Sequence, residues 1–492
     1  VRLDELLARL PGASLRGDGG IEISTVTHDS RRAGPGSLFV AIRGLVTDGN
    51  RFVEAARRKG AVAVCSEEPP SDEGAWVRVP DAREALAVLS AAVLGDPGRS
   101  LGLVGITGTN GKTTTAYLVD SALRAAGETV GLVGTVQYRV ASRVAEATRT
   151  TPESSDLQAL LREMVDAGCR RAVLEVSSHS LALRRVHGLE FEVAVFTNLT
   201  RDHLDFHGDM DAYFAAKRTL FERHLRADGR AVVNLDDDRA DEVVRASGGR
   251  AWTYSLCDPR ADILAEDVRL SLGGTRFRAR TPLGVLEVKT ALLGRFNVGN
   301  ALAALGAGLA LSLPADAVLR GLAALGGVPG RMEAIAAGQD FTVLVDYAHT
   351  DDALRNLLET VRGLSPRRVV TVFGCGGDRD RTKRPLMGAV AARLSDVVIL
   401  TSDNPRSEPP ETILEEIRRG IPAARAGDTL VVPDRRDAIA RAIEMGREGD
   451  CVVLAGKGHE AVQVLRDRTV PFDDRQVARD ALARLARAGG RK

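Results

Sequence analysis

No stretch of this chain restricts its fold more than residues 105–115, GITGTNGKTTT. The apolar run 101–106 reads as a buried strand. A helical pattern begins near Thr113, with apolar positions at Ala116, Leu118, Val119, Ala122 and Leu123. A strand that delivers a glycine loop, a lysine and a hydroxyl to a helix N-terminus can cradle the phosphates of a nucleoside triphosphate. Backbone N–H groups from Gly108 to Gly111 and the positive helix end face the phosphates in such a loop. Lys112 would reach the β and γ oxygens, and Thr113 would ligate Mg²⁺. The usual spacing G-x-x-x-x-G-K-T needs glycine at 106, where this chain has Ile106, so the match is to the variant G-T-x-G-K-T. A glycine turn that binds nothing is the alternative, and its place at a strand–helix junction argues against it.

The 492 residues around that loop leave room for about three domains. A net charge of +1 gives no electrostatic case for nucleic acid or an anionic membrane. No apolar run approaches the ~18 residues of a membrane span. The start, VRLDELLARLPG, reads as a short amphipathic helix without a signal peptide's apolar centre. Cys65, Cys169, Cys257, Cys375 and Cys451 show no C-x-x-C and no pairing pattern, and no H-E-x-x-H occurs. A reducing cytosol and no structural zinc are the simplest reading. Aromatics make up only 4%, so the core must rest on Ala, Val and Leu.

Residues 1–98 form a first unit, closed by the linker Pro97-Gly98-Arg99-Ser100. Its polar clusters, Thr27-His28-Asp29-Ser30-Arg31 and Thr47-Asp48-Gly49, are equally well explained as turn chemistry. From 99 to 330 strand and helix signals alternate, as in an α/β domain, with buried runs at 101–106, 129–133, 172–176, 193–196 and 231–234. Polar clusters follow several of these runs, where open parallel sheets place their sites. Glu175 ends one run, beside Ser177 and His179, and TNLTRDHLD follows another. A carboxylate at a strand end near a phosphate loop is a natural Mg²⁺ ligand, against the alternative of a lone surface glutamate. His203, between two aspartates, is either a metal ligand or a helix cap. Lys217 sits in a helical pattern, where most lysines are solvated. Residues 255–290 alternate apolar and polar around glycine turns and read as antiparallel strands. Asn297 and Asn300, three apart on one helical face, either read a purine edge or cap.

A second linker at 326–333 precedes a further α/β unit, with strands at 341–346, 368–373, 396–400 and 451–455. The loop GCGGDRD follows a strand but lacks G-x-G-x-x-G, so a dinucleotide cofactor is not supported. Asp403-Asn404-Pro405-Arg406 and Gly456-Lys457-Gly458-His459-Glu460 are charged loops at strand ends of one sheet. Together they could converge on a zwitterionic ligand. Arg379 and Arg406 would each grip a carboxylate, and Asp403 and Glu460 would hold an ammonium. Ordinary surface charge is the alternative.

Over essentially its whole length the chain resembles the Mur ligase family. The resemblance is carried by GTNGKTTT, LEVSSHSL, FTNLTRDHLDFHGDM with AAK after it, GRFNVGNALAAL, PGRME, VDYAHTDDAL, FGCGGDRDRTKRP, TSDNPR and AGKGHE, in that order and spacing. It implies an α/β chain of three domains. Residues 1–98 would be a UDP-MurNAc-binding α/β domain. Residues 99–330 would be a P-loop ATPase domain with a small antiparallel sheet, and 331–492 a Rossmann-like amino-acid-binding domain. The resemblance also implies a cytoplasmic, monomeric, ATP-dependent ligase of peptidoglycan precursor synthesis, serving cell shape and division. It would use two Mg²⁺ ions and a CO₂-derived carbamate on Lys217, with no nucleic-acid partner and no membrane insertion. The branch most resembled adds meso-2,6-diaminopimelate to UDP-MurNAc-L-Ala-D-Glu.

Site roles follow from the same resemblance. Gly108, Thr109, Asn110, Gly111, Lys112 and Thr113 match the ATP loop. Thr113, Glu175, His203 and the carbamate of Lys217 match the metal ligands, and Lys112, Lys217, His203 and Glu175 the catalytic set. Asn297, Asn300, Arg331, Asp346 and His349 match contacts to adenine, ribose or phosphate. His28 and Ser30, with Leu45, Val46 and Thr47, match the uridine site. Thr150, Thr151, Ser177 and Arg185 match the muramoyl-dipeptide site. Arg379, Asp403, Asn404, Pro405, Arg406, Gly456 and Glu460 match the amino-acid site. Leu183 replaces a glutamine of some relatives, and 45–47 differs from their polar stretch.

Asn404-Pro405-Arg406 favours diaminopimelate over lysine, because an arginine left unpaired by a substrate without the distal carboxylate is costly. Three rivals stand beside this reading: an L-lysine-adding ligase, a folylpolyglutamate synthase and a P-loop binding protein without ligase activity. The long first unit argues against the second, and Glu175, His203 and Lys217 together against the third. No residue is an obvious base for the incoming amine, although His349 and Asp346 are candidates.

Overall fold

The computed structural model describes residues 1–44, 47–271 and 273–489. Among these residues three sheets of five, eleven and six strands organise the chain, with a two-stranded ribbon, Val462–Val464 and Thr469–Pro471, beside the last.

In the first unit the strand order is Ser14–Arg16, Ala75–Arg78, Ala63–Ser66, Ser37–Val40, Thr25–Thr27, and only the first pairing is antiparallel. The helix Ala82–Val93 covers one face. Asp81 caps it by accepting from the amides of Arg83 and Glu84. Leu38 and Val40 meet Leu86 and Leu89 on that face, while Phe39 and Ala41 pack with Trp76 on the other.

The eleven-stranded sheet runs Gly284–Thr290, Gly274–Thr281, Ile263–Ser271, Ala251–Ser255, Leu225–Asn234, Phe191–Phe196, Gly102–Thr107, Arg171–Glu175, Val130–Val133, Gln137–Val140, Arg143–Glu146. Its middle is parallel, and antiparallel strands extend both edges. The strands expected within 255–290 form one of these extensions. The hairpin Gln137–Val140/Arg143–Glu146 forms the other and had no turn signal, since Ala141 supplies its left-handed φ of 51° where glycine or asparagine is usual.

The middle strands are buried on both faces, as parallel strands are, and their side chains divide with period two. Val104, Ile106, Val173, Val193 and Val195 pack beneath Lys112–Ala125, Arg295–Ala310 and Ala315–Ala324. Leu103, Ala172, Leu174, Ala194 and Phe196 pack on the side of Ser154–Asp166 and Met210–Arg223. Small residues let the layers approach closely. A Cβ on Gly306 would sit 2.9 Å from Val232.

The third unit has strand order Glu333–Ala334, Thr342–Asp346, Cys451–Ala455, Val369–Phe373, Val397–Leu400, Thr429–Val431, parallel except at Glu333–Ala334. Val398 and Leu400 face one core and Ile399 the other. Gly102–Thr107 is the switch strand of the central sheet. The chain goes from it past Arg171–Glu175 to Val130–Val133, and Phe191–Phe196 lies on its other side. The crevice at its C-terminal end is where such sheets bind ligands. Among the described residues no helix is long and apolar enough to cross a membrane.

Candidate active site

The loop after Gly102–Thr107 is held from the side by the loop after Phe191–Phe196. Asn198 accepts from the Asn110 amide through Oδ1 at 2.9 Å, and Thr197 Oγ1 donates to the Asn110 carbonyl at 2.6 Å. Gly108 has φ 148°, and a Cβ there would stand 1.9 Å from Thr197 Oγ1, so glycine is obligatory. Lys112 opens the helix Lys112–Ala125 and turns back to donate to the carbonyls of Gly108 and Thr109 at 2.9 and 2.8 Å. Thr113 donates to Glu175 Oε2 at 2.9 Å.

Glu175 is fully buried. Its carboxylate also accepts from the Thr135 amide at 2.8 Å and the Thr135 hydroxyl at 2.9 Å. No lysine or arginine among the described residues pairs with it. A buried carboxylate held only by neutral donors, beside a threonine hydroxyl and a phosphate loop, is an oxygen set that fits Mg²⁺. His203 does not cap with its side chain; it sits at φ 55° before the short helix Leu204–His207. Its Nε2 lies 3.4 Å from Asp202. Burial pushes its pKa down to about 3, so its ring is neutral near pH 7 and free to ligate. Asp202 also lies 3.8 Å from His349 Nε2, which ties the third unit to the central one.

Lys217 is not the solvated lysine that its residue type suggests. It is 1% exposed, stands 4.4 Å over the Tyr213 ring and donates to the Gly108 carbonyl at 2.8 Å. Burial, with Lys112 adding to it, lowers its pKa well below the usual lysine range. Such burial favours the uncharged amine over the ammonium.

Between the central and third units lies a cleft of about 270 Å³. Thr109, Asn110, Gly111, Lys112, Thr113, Glu175, Asn300, Arg331, Asp346 and His349 line it, together with Phe296, Ala353, Asn356 and Leu357. The last four make an apolar wall with one amide, a fit for a base. Asn297 is not in the lining. It is buried, donates to the Leu293 carbonyl at 2.7 Å and orients Asn300, which donates to its Oδ1 at 2.8 Å. Arg331 stacks 4.5 Å over Tyr347 and donates to Thr113 at 3.1 Å. Asp346 accepts from the amides of Met332 and Ala348, and burial raises its pKa. Burial lowers that of His349. Asn110 reaches across to Asp352 at 3.1 Å.

A larger cleft, about 780 Å³, adjoins it. Arg379, Asp403, Asn404, Arg406, Gly456 and Glu460 line one side, facing Thr135, Thr150 and His203. Pro405 is buried and does not line the cleft. Arg406, at φ 52°, fixes its fork by donating to the Gly377 carbonyl at 2.7 Å. Glu408 and Glu416 hold the buried Arg384 beneath the loop that carries Arg379. Arg435 and Asp474 form a fully buried pair at 2.5 Å, and Arg435 also donates to the carbonyls of Ser402 and Ala455, the residues before Asp403 and Gly456. Lys383 and Arg475 also reach this cleft. Arg201 pairs with Asp380 at 2.9 Å across the two units.

Thr150 and Thr151 lie at the near edge. Thr150 is 3.1 Å from the Thr135 hydroxyl, and Thr151 donates to the Glu175 carbonyl at 2.7 Å. Ser177 lines the smaller cleft and accepts from the Ser180 amide. Arg185 is paired with Glu153 at 2.7 Å and donates to the Thr151 carbonyl, so it braces this edge. His28 sits 2.9 Å from Ser155, which places the first unit's polar turn, with Ser30, at the same helix start. The Thr47 carbonyl accepts from Gly44, while Leu45 and Val46 lie outside the described residues. Thr135 and Asn356 lie in no motif, and Phe296, Tyr347 and Lys457 lie inside quoted motifs without a role assigned to them. Lys457 alone had a signal, a lysine between two glycines in a strand-end loop.

Three family models match: the Mur ligase family catalytic domain at residues 22–93, the Mur ligase middle domain at 106–308 and the Mur ligase glutamate ligase domain at 330–458. A curated UDP-N-acetylmuramoyl-L-alanyl-D-glutamate–2,6-diaminopimelate ligase of Solibacter usitatus is 52% identical, over 94% of each chain. The protein of that name from Geobacillus thermodenitrificans is 46% identical, over 98% of this chain and 99% of its own. A solved structure of a ligase of that name superposes with TM-score 0.70 at 35% identity, over 99% of each chain.

Proposed function

The chain belongs to the Mur ligase family, and from that premise we propose that it joins meso-2,6-diaminopimelate to the D-Glu γ-carboxylate of UDP-MurNAc-L-Ala-D-Glu, with cleavage of ATP to ADP and phosphate. The observation that carries the reading is the adjacency of the two clefts. The phosphate loop, Glu175 and His203 meet a wall bearing Arg379, Arg406, Asp403 and Glu460. A nucleotide γ-phosphate and a zwitterionic amine can therefore lie on either side of one carboxylate.

Labour divides among the three sheets: residues 1–98 hold the uridine nucleotide, 99–330 ATP and 331–492 the amino acid. His28, Ser30 and Thr47 serve the first. Thr150, Thr151 and Ser177 orient the peptide arm, with Arg185 bracing them. Gly108 to Thr113 cradle the phosphates, and Lys112 turns from its loop carbonyls to the γ-phosphate. Asn300 and Asn356 face the base, while Arg331, Asp346 and His349 bound the ribose and phosphates. Thr113, Glu175, His203 and a carboxylated Lys217 would hold two Mg²⁺ ions, which neutralise charge on the transferring phosphoryl group.

The γ-carboxylate of D-Glu attacks the γ-phosphorus and ADP leaves. The uncharged amine of diaminopimelate then attacks the acyl carbon of the acyl phosphate; phosphate departs with the C–O bond pair, and the proton shed by the new amide nitrogen passes to it. The residues act by placement and charge neutralisation. Arg379 and Arg406 hold the distal carboxylate, and Asp403 and Glu460 the ammonium beside it. The enzyme works in the cytoplasm, where ATP and nucleotide-sugar substrates are found, and as a monomer.

Phosphate release is measured with ATP, Mg²⁺ and UDP-MurNAc-L-Ala-D-Glu, adding meso-diaminopimelate, L-lysine or neither. Release that requires diaminopimelate supports the reading. Turnover with lysine alone overturns the amino-acid assignment, and no amino-acid dependence overturns the ligase assignment.

A further inference from the structure

The geometry points to Lys457 as a positioning residue that sets the orientation and the charge of the amino-acid site without touching the substrate. The loop Gly456-Lys457-Gly458 turns the lysine inward. Its neighbours have φ 114° and 55°, and a Cβ on Gly458 would meet the Gly330 carbonyl at 2.7 Å. The lysine side chain is 0% exposed, against 28% for Glu460, so ligand reaches Glu460 and not Lys457.

Its ammonium donates to Asn404 Oδ1 and to Glu460 Oε2, both at 3.0 Å, and lies 3.8 Å from Asp403. The Val464 amide also donates to Asn404 Oδ1 at 3.0 Å. That oxygen is therefore fully engaged, and the Asn404 amide nitrogen has to point to Glu460 Oε2, 2.9 Å away. With Oε2 taken twice, Oε1 is the Glu460 oxygen left for an incoming ammonium, since no described residue donates to it. The charges follow the same pattern. At the ammonium-holding corner Lys457 faces the carboxylates of Asp403 and Glu460, so it offsets part of their charge without filling the place of the substrate ammonium. Without Lys457, Asn404 Oδ1 keeps only the Val464 amide as donor, and the carboxylates of Asp403 and Glu460 lose the cation between them.

The inference rests on the assignment of this cleft to the amino acid. Its test uses the full chain with Lys457→Met, which removes donor and charge, and Lys457→Gln, which keeps a donor and removes the charge. Each substrate is varied in turn in the phosphate-release assay. We expect the diaminopimelate KM of Lys457→Met to rise on the order of tenfold or more, with the ATP and UDP-substrate KM values and the saturated kcat changed by about twofold at most. Lys457→Gln falls between it and the parent. Should Lys457→Met lose its thermal unfolding transition, Lys457→Gln carries the same comparison. An unchanged diaminopimelate KM, or three KM values moving together, overturns the role. A parent chain with no diaminopimelate-dependent release overturns the cleft assignment itself, and Lys457's role with it. An active parent with indifferent variants overturns only the role of Lys457.

Discussion

Lys112 and Lys217 donate to one and the same oxygen, the Gly108 carbonyl, at 2.9 and 2.8 Å. Two amino groups converge on a neutral acceptor where almost no water reaches the second of them. Carboxylation of Lys217 would resolve this, since it would replace a buried amine with an anion beside Lys112. Lys217→Ala is expected to lower kcat on the order of 10²-fold, the scale for loss of an electrostatic stabiliser. Acetate or formate should restore part of it by filling the space with a carboxylate. Full activity in Lys217→Ala would exclude the carbamate.

Thr135 holds Glu175 twice, through its amide and its hydroxyl. Partners that orient a metal ligand typically matter 10–100-fold. Thr135→Val keeps the amide contact and the volume. Its half-saturating Mg²⁺ should rise on the order of tenfold, with the diaminopimelate KM unmoved. Chelation of Mg²⁺ should abolish turnover in both proteins. A Mg²⁺ titration that superposes on the parent's would show that Glu175 needs no such support.

Arg406 has one nitrogen bound to the Gly377 carbonyl and lines the larger cleft. Lysine cannot offer a carboxylate the same planar pair of donors. Arg406→Lys should cost about 2 kcal/mol of transition-state binding, on the order of 30-fold in kcat/KM for diaminopimelate. Equal kcat/KM in both proteins would remove Arg406 from substrate recognition.

Glu408 receives both arms of the buried Arg384, at 2.8 and 2.9 Å. That hydrogen bonding holds its carboxyl down to about 2, from an ordinary 4.5, against the opposing effect of burial. Since the folded value is the lower one, the stabilisation is complete above pH 4.5 and is lost as pH falls toward 2. The thermal midpoint of the parent should fall more steeply than that of Glu408→Gln over this window. Parallel slopes would place the acid sensitivity elsewhere.

Much of this was legible because it is local. The run at 101–106, the small residues after it and the hydroxyl at Thr113 each have a short-range signature, and strand-end loops carry their charges in plain view. What was hidden depends on distant chain. Lys217 reads as a solvated lysine until the Gly108 loop and Tyr213 close over it. Asn297 reads as an amide for a base, yet its side chain is taken up by Leu293 and Asn300, so it orients a neighbour instead. The hairpin around Ala141 escaped because alanine rarely accepts that φ. Thr135 has no motif, and its importance comes only from the carboxylate that a separate strand brings to it.

The pair Arg435–Asp474 has a consequence for how the molecule is made. Arg435 secures the carbonyls before both amino-acid loops, and its counter-ion arrives with the first turn of the helix Asp474–Gly489. During synthesis the phosphate loop, Glu175, His203 and Lys217 all leave the ribosome first, and N-terminal domains fold first. Until Asp474 emerges, Arg435 is a guanidinium with no anion to bury beside. A growing chain can therefore acquire its nucleotide site well before it can receive an amine.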